Sequence, residues 1–272
     1  MSPLLVSELA QSMTLLILGG VSAGLGDAKV DLVEFSLVFV IVLVAGVMHG
    51  SAGFGFSVIA TPLLSFLLPL RMTIAITVFF IIAYSLQIVY RFRKFIPWRA
   101  IAVPLVASII ARVFGVVLLM NLNIGVLRMA WGSSLILLAA YFMAFRNRIR
   151  IKPSLAGGIV AGTLSGLFGG MFNTAGPALV VYFFNAFKEK RQYSAALQVT
   201  FFMGALASLF VHLAYGNITL QVLRFVGVGI TGVLVGIFVG IRIFEKLAKR
   251  HLNILVYLVM ALMGIVQIMK AI

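Results

Sequence analysis

The chain has 272 residues, 63% of them hydrophobic and 10% charged, with a mean hydropathy of +1.20. That balance excludes a single soluble core and fits a bundle of membrane helices, each needing about 20 apolar residues. The net charge of +15 sits in short loops between apolar spans, so topology explains it and nucleic-acid binding does not; with no cysteine, disulfide and thiol chemistry are excluded too.

Residues 1–31 form an N-terminal segment that is moderately apolar but carries Glu8, Gln11 and Ser12. It has no basic leader, so a cleaved signal peptide is not expected. A first crossing and a helix lying at the interface both remain open. Residues 32–68 are apolar and longer than one span, with His49, Gly50, Gly53 and Gly55 clustered near the middle and Pro62 closing the cluster. Three clear spans follow at 73–90, 101–120 and 127–145. A second long region, 155–184, repeats the first pattern with Gly166, Gly169, Gly170, Asn173, Thr174 and Pro177. Three more spans lie at 192–214, 222–241 and 252–269. Each long region reads either as one crossing plus a buried re-entrant piece or as two short crossings.

Loop charges order these spans. With the loop at Arg91, Arg93, Lys94 and Arg99 in the cytoplasm, Arg146, Arg148, Arg150 and Lys152 are also inside, as basic loops prefer. Lys188, Lys190 and Arg191 stay inside only if 155–184 enters and returns as a hairpin. Arg242, Lys246, Lys249 and Arg250 then follow them, while Lys29, Arg71, Arg128, Arg224 and Lys270 are external. The first half (32–147) therefore begins outside and the second (148–272) begins inside. The expected fold is all-α and polytopic, with two inverted-topology repeats. Each repeat holds a glycine-rich broken or re-entrant hairpin plus three transmembrane helices.

Paired glycine- and proline-interrupted segments in matching halves point to the substrate site of a secondary transporter. Irregular backbone at membrane depth is tolerated only within protein or beside a water-filled cavity. Pro62 and Pro177 are expected near the start of a following short helix, whose free amides would bind an anion. The competing explanation is close helix packing, which suits Gly232, Gly236 and Gly240 at four-residue spacing.

No Asp or Glu lies within a clear span, which argues against a cation substrate and favours an anion. Arg112 is the one full charge well inside a span; it binds an anion or gates, unless it snorkels or pairs with carbonyls. His49 is either an anion or pH-sensing group or a structurally satisfied histidine. Asn173 and Thr174 at the second break face Ser57 and Thr61 at the first, and all four are oxyanion donors by type. Thr77 and Gln198 occupy similar places in the two helices that follow the hairpins. Gln87, Thr200 and His212 are weaker candidates. Trp98, Trp131 and the tyrosines are expected to include interface anchors, and the methionines core filler.

At these residues the chain resembles the sulfite exporter TauE/SafE family of membrane transporters, over about residues 35–270. The resemblance rests on the two glycine-rich segments ending at Pro62 and Pro177, on Ala75, Ile76 and Thr77, and on the small-residue helix around Gly232 to Gly240. It implies transport of a sulfur-containing anion, sulfite or an organosulfonate such as sulfoacetate, or a related carboxylate, across the bacterial cytoplasmic membrane. The chain departs from the family's frequent run of three glycines, with Phe54 between Gly53 and Gly55 and Met171 after Gly170. The expected site comprises His49, Gly50, Gly53, Ser57, Thr77, Arg112, Gly166, Gly169, Asn173, Thr174 and Gln198. No cofactor or metal is implied, and no Cys, His-Glu-x-x-His motif or membrane carboxylate pair suggests an enzyme. The expected partners are the anionic substrate and membrane lipids. A coupling proton or sodium ion and a homodimer stay open, as does an anion channel in place of a carrier.

Overall fold

A computed structural model describes residues 27–52, 55–145, 153–174, 176–244 and 249–272. The N-terminal segment before Asp27, Gly53 and the basic stretch 146–152 lie outside the described residues, as does Lys246. Among the described residues the chain is helical throughout. In chain order the helices are α1 (Asp27–Ala52), α2 (Phe56–Leu67), α3 (Leu70–Phe92), α4 (Trp98–Asn121), α5 (Ile124–Phe145), α6 (Leu155–Phe172), α7 (Gly176–Ala186), α8 (Lys190–Ala214), α9 (Leu220–Phe244) and α10 (Lys249–Met269). A short 3₁₀ turn, Arg93–Phe95, follows α3. Seven of the helices are long and apolar enough to cross a membrane.

Local chemistry sets several boundaries. The Ser154 hydroxyl accepts the Gly157 amide at 3.1 Å and starts α6. Asn123 and Thr219 act likewise ahead of α5 and α9, accepting from Gly125 and Val222. Pro69 and Pro97 precede the first residues of α3 and α4, where their fixed φ and missing amide do no harm. The six clear spans each extend two to three residues further at the start than apolarity alone indicates.

The two long regions resolve the same way, as one long helix followed by a short one. α2 has 12 residues and α7 has 11. At 1.5 Å per residue they reach about 16–18 Å, little more than half of a hydrocarbon core about 30 Å thick. Each region is thus one crossing-length helix plus a short return piece, not two full crossings. Pro177 stands in the first turn of α7, as expected. Pro62 does not stand at the start of α2: that helix begins at Phe56, and Pro62 falls in its interior. The reason is Gly55, whose φ of 103° is open to glycine and lets the chain turn seven residues before the proline.

The packing is reciprocal. α1 packs on α9 and α4 on α6, so the first helix of each half meets the fourth of the other. α3 packs on α8, and α5 on α10. The α4·α6 seam is a ladder in which Gly162, Gly166 and Gly170 lie against Pro104, Ser108 and Arg112. The α1·α9 seam matches it, with Phe39, Leu43 and Val47 against Gly232, Gly236 and Gly240. Residue numbers rise together along both seams, so each pair runs parallel. Glycine is used here because the backbones touch, which is how helices gain contact in lipid without a hydrophobic driving force.

Trp131 corrects an expectation. It is fully buried and stacks on Phe172 with ring centroids 5.5 Å apart, so it anchors the core between α5 and α6 rather than the membrane interface. Trp98, half exposed at the start of α4, has the placement of an interface anchor.

Candidate functional site

The two helix breaks come together on one small cavity. At the first break the Phe56 amide, the first of α2, donates to His49 Nδ1 at 3.3 Å. At the second, Asn173 ends α6 with φ of 58°, a left-handed conformation that Asn tolerates better than most residues, and its amide donates to the Gly169 carbonyl at 3.0 Å. The cavity is lined by His49, Gly55, Phe56, Ser57 and Val58 from the first break and by Asn173, Thr174 and Gly176 from the second. Ile81, Tyr84, Arg112 and Phe201 complete it. The N-terminal turns of α2 and α7 therefore both open on it, and helix N-termini carry partial positive charge. Its volume is about 20 Å³, room for one water molecule.

Arg112 supplies the only formal charge on this lining. It is 1% exposed. Its Nε donates to Ser208 Oγ at 2.7 Å and its Nη2 to Asn173 Oδ1 at 3.0 Å, both neutral acceptors. Gly204 on α8 makes room for it, since a Cβ there would stand 3.0 Å from Arg112 Cδ. A buried cation held by neutral dipoles alone keeps much of its desolvation penalty, and an anion in the cavity would offset it. Thr174 adds a buried hydroxyl with no hydrogen-bond partner.

Two polar clusters tie the breaks to the helices that follow the opposite hairpin. Asn173 Nδ2 donates to the Ile74 carbonyl at 2.9 Å and to Thr77 Oγ1 at 2.7 Å, so the second break is fastened to α3. The Thr77 hydroxyl donates back to α3 carbonyls at Thr73 and Ile74. The Gln198 carboxamide lies 3.3 Å from His49 Nε2 and also meets Ser85 Oγ at 3.1 Å, so the first break is fastened to α8. Because the Phe56 amide occupies Nδ1, the neutral imidazole carries its proton on Nε2. That proton calls for the Gln198 oxygen toward His49 and its nitrogen toward Ser85. Tyr84 covers the imidazole, ring centroids 4.2 Å apart.

Among the residues expected from sequence, His49, Ser57, Arg112, Asn173 and Thr174 line the cavity. Thr77 and Gln198 stand behind it and hold Asn173 and His49. Gly50 and Gly166 face the backbones of Ile237 and Ser108 in the helix seams. Gly169 contributes its carbonyl to the Asn173 turn. Thr61 is buried with an unpartnered hydroxyl but is not part of the lining, and Thr200 bonds within α8 to the Ala196 carbonyl. Gln87 is exposed. Tyr84, Ser85, Gly204 and Ser208 were not expected. A signal existed for part of this set: Gln198, Phe201, Ala205, Ser208 and His212 recur at three- and four-residue spacing, one face of an otherwise apolar helix.

No curated protein and no solved structure matches the chain. A family model described as sulfite exporter TauE/SafE matches residues 38–266. That match takes in both breaks, both seams and every described residue of the cavity. The paired broken helices, the buried arginine with neutral partners among the described residues and this match agree: the chain belongs to the sulfite exporter TauE/SafE family and is a multi-pass membrane transporter, not an enzyme.

Proposed function

We propose that this transporter is a secondary carrier that moves a small oxyanion, sulfite or an organosulfonate such as sulfoacetate, across the bacterial cytoplasmic membrane. The observation that carries the reading is Arg112, buried at the cavity with only neutral partners. A bound oxyanion would accept from the free guanidinium hydrogens, from the Thr174 hydroxyl and from the amides at the starts of α2 and α7. Ser57 is a further donor on the same lining. Small carboxylates would use the same donors and are the nearest competing substrates.

Alternating access between two inverted repeats is the transport cycle this arrangement favours. A cavity of about 20 Å³ admits one water and no oxyanion, so the breaks must part to load it. The Asn173–Thr77 and His49–Gln198 clusters are the contacts that would open, one on each side of the cavity. A permanently open anion pore would not need such closure.

The test is a thermal-shift screen of the purified protein against sulfite, organosulfonates, sulfate and carboxylates, followed by counterflow in liposomes. At 100 times Kd a ligand adds about 2.7 kcal/mol to a reversible unfolding equilibrium. A shift confined to sulfite and sulfonates, with saturable counterflow, is expected. A shift with carboxylates alone would reassign the substrate. Flux without saturation or counterflow would make the protein a channel, and no shift from any anion would remove the anion site.

A further inference from the structure

His212 on α8 is fully buried, and its Nε2 has no hydrogen-bond partner. The other ring nitrogen, Nδ1, lies 3.2 Å from Asn217 Nδ2. That same Asn217 nitrogen donates to Met120 Sδ at 3.0 Å, which fixes which end of the carboxamide carries the hydrogens. Asn217 is therefore the donor to Nδ1, and the neutral His212 ring keeps its proton on Nε2. The result is a buried N–H donor with nothing to donate to. Such a group costs free energy unless an acceptor visits it.

Its position gives the acceptor a source. His212 lies one helical turn beyond Ser208 on the same face of α8, and Ser208 accepts from Arg112. On the far side, Asn217 belongs to the α8–α9 loop, where Tyr215 is exposed. His212 does not line the Arg112 cavity. Along α8 it stands between Ser208 and the α8–α9 loop.

We infer that His212 Nε2–H and the Arg112 guanidinium form a second anion station, to which the oxyanion passes from the central cavity on its way to the α8–α9 loop. The inference rests on the anion reading above and adds a position that the central site does not contain. The station takes a small oxyanion because its donors are a neutral N–H and a shared guanidinium. The hydroxyl of Ser208, bonded to Arg112, bridges the two positions along α8.

The experiment uses the full chain with sulfite as probe. Equilibrium binding is read as the sulfite-induced rise in Tm, and exchange as the rate of labelled sulfite counterflow in liposomes. His212→Leu should keep the rise in Tm of the wild type and slow counterflow about tenfold or more, the loss expected for one hydrogen bond to an anion. His212→Gln restores a neutral donor and should recover part of the rate. His212→Phe fills the same space without a donor and serves in place of the leucine variant if that does not fold. Counterflow at the wild-type rate in a donorless variant that still binds sulfite would overturn the station, as would a glutamine variant no faster than leucine. Absence of any Tm rise in the wild type would instead overturn the central anion site, and the station with it.

Discussion

Arg112 and Thr174 are each left with unmet capacity inside the protein, in different ways. Among the described residues Arg112 has a charge without a countercharge, and Thr174 has a hydroxyl without a partner. A buried charge with neutral partners alone carries a desolvation penalty of several kcal/mol, which its removal relieves. Arg112→Gln is therefore expected to fold with an unliganded Tm no lower than the wild type. It should lose the ligand-dependent gain of about 2.7 kcal/mol at 100 times the wild-type Kd. A variant that still gains that increment with sulfite would show that Arg112 is structural. Thr174→Val breaks no bond in the empty protein, so its Tm should hold while its Kd for the anion rises about tenfold, as for one lost hydrogen bond to a charged group. Asn173 is the contrasting case: it bonds to Arg112, Ile74 and Thr77 at once, and its replacement would damage fold and site together. The side chains at the two breaks could be nominated from sequence because they are polar residues in apolar segments. Ser85 and Tyr84 could not, because each is an ordinary helix residue until another helix supplies its partner.

At the scale of the helices, the glycines divide by what they touch. Gly55 turns the chain with φ of 103°, and Asn173 does the same work at the second break. Gly166 and Gly170 lie in the α4·α6 seam, where an added Cβ would collide with the Ser108 and Arg112 carbonyl oxygens. Gly170→Ala should therefore destabilise the protein by about 2 kcal/mol through overpacking, read as a lower Tm in detergent. Gly227 is the control: it is helical and an added Cβ meets nothing within 4 Å. Gly227→Ala should leave Tm unchanged or raise it, by about 0.5 kcal/mol or a little more from helix propensity. Equal losses from both would mean that the seam does not limit stability. Sequence spacing identified Gly232, Gly236 and Gly240 as a packing stripe because one face of α9 repeats every four residues. It could not separate turning from packing glycines in 155–184. There the seam glycines and the end of the helix occur in one continuous run.

At the scale of the molecule, reciprocal packing of the first helix of each half on the fourth of the other is what two inverted repeats would produce. The cysteine-free sequence makes the topology directly measurable. Single cysteines at Lys29→Cys and Leu155→Cys mark the starts of the two halves. A membrane-impermeant maleimide applied to intact cells should label the first and spare the second. Labelling of both would place the two starts on one side and end the inverted arrangement. The same variants, if they retain counterflow, also report that neither start is part of the transport path.

Composition and hydropathy by themselves determined that the chain is a helical membrane protein, because only helices satisfy the backbone in lipid for a sequence this apolar. The paired glycine clusters determined that two of its apolar regions break, since Gly and Pro in matching runs interrupt a helix wherever they occur. The residues that would hold an anion were set by the tertiary structure. Arg112 reaches Asn173 and Ser208 only because α6 and α8 both pack on α4. His49 reaches Gln198 across 149 residues of chain. Hydrogen bonds of that kind depend on which helices become neighbours, and apolar periodicity shows which face of a helix is buried without showing against what.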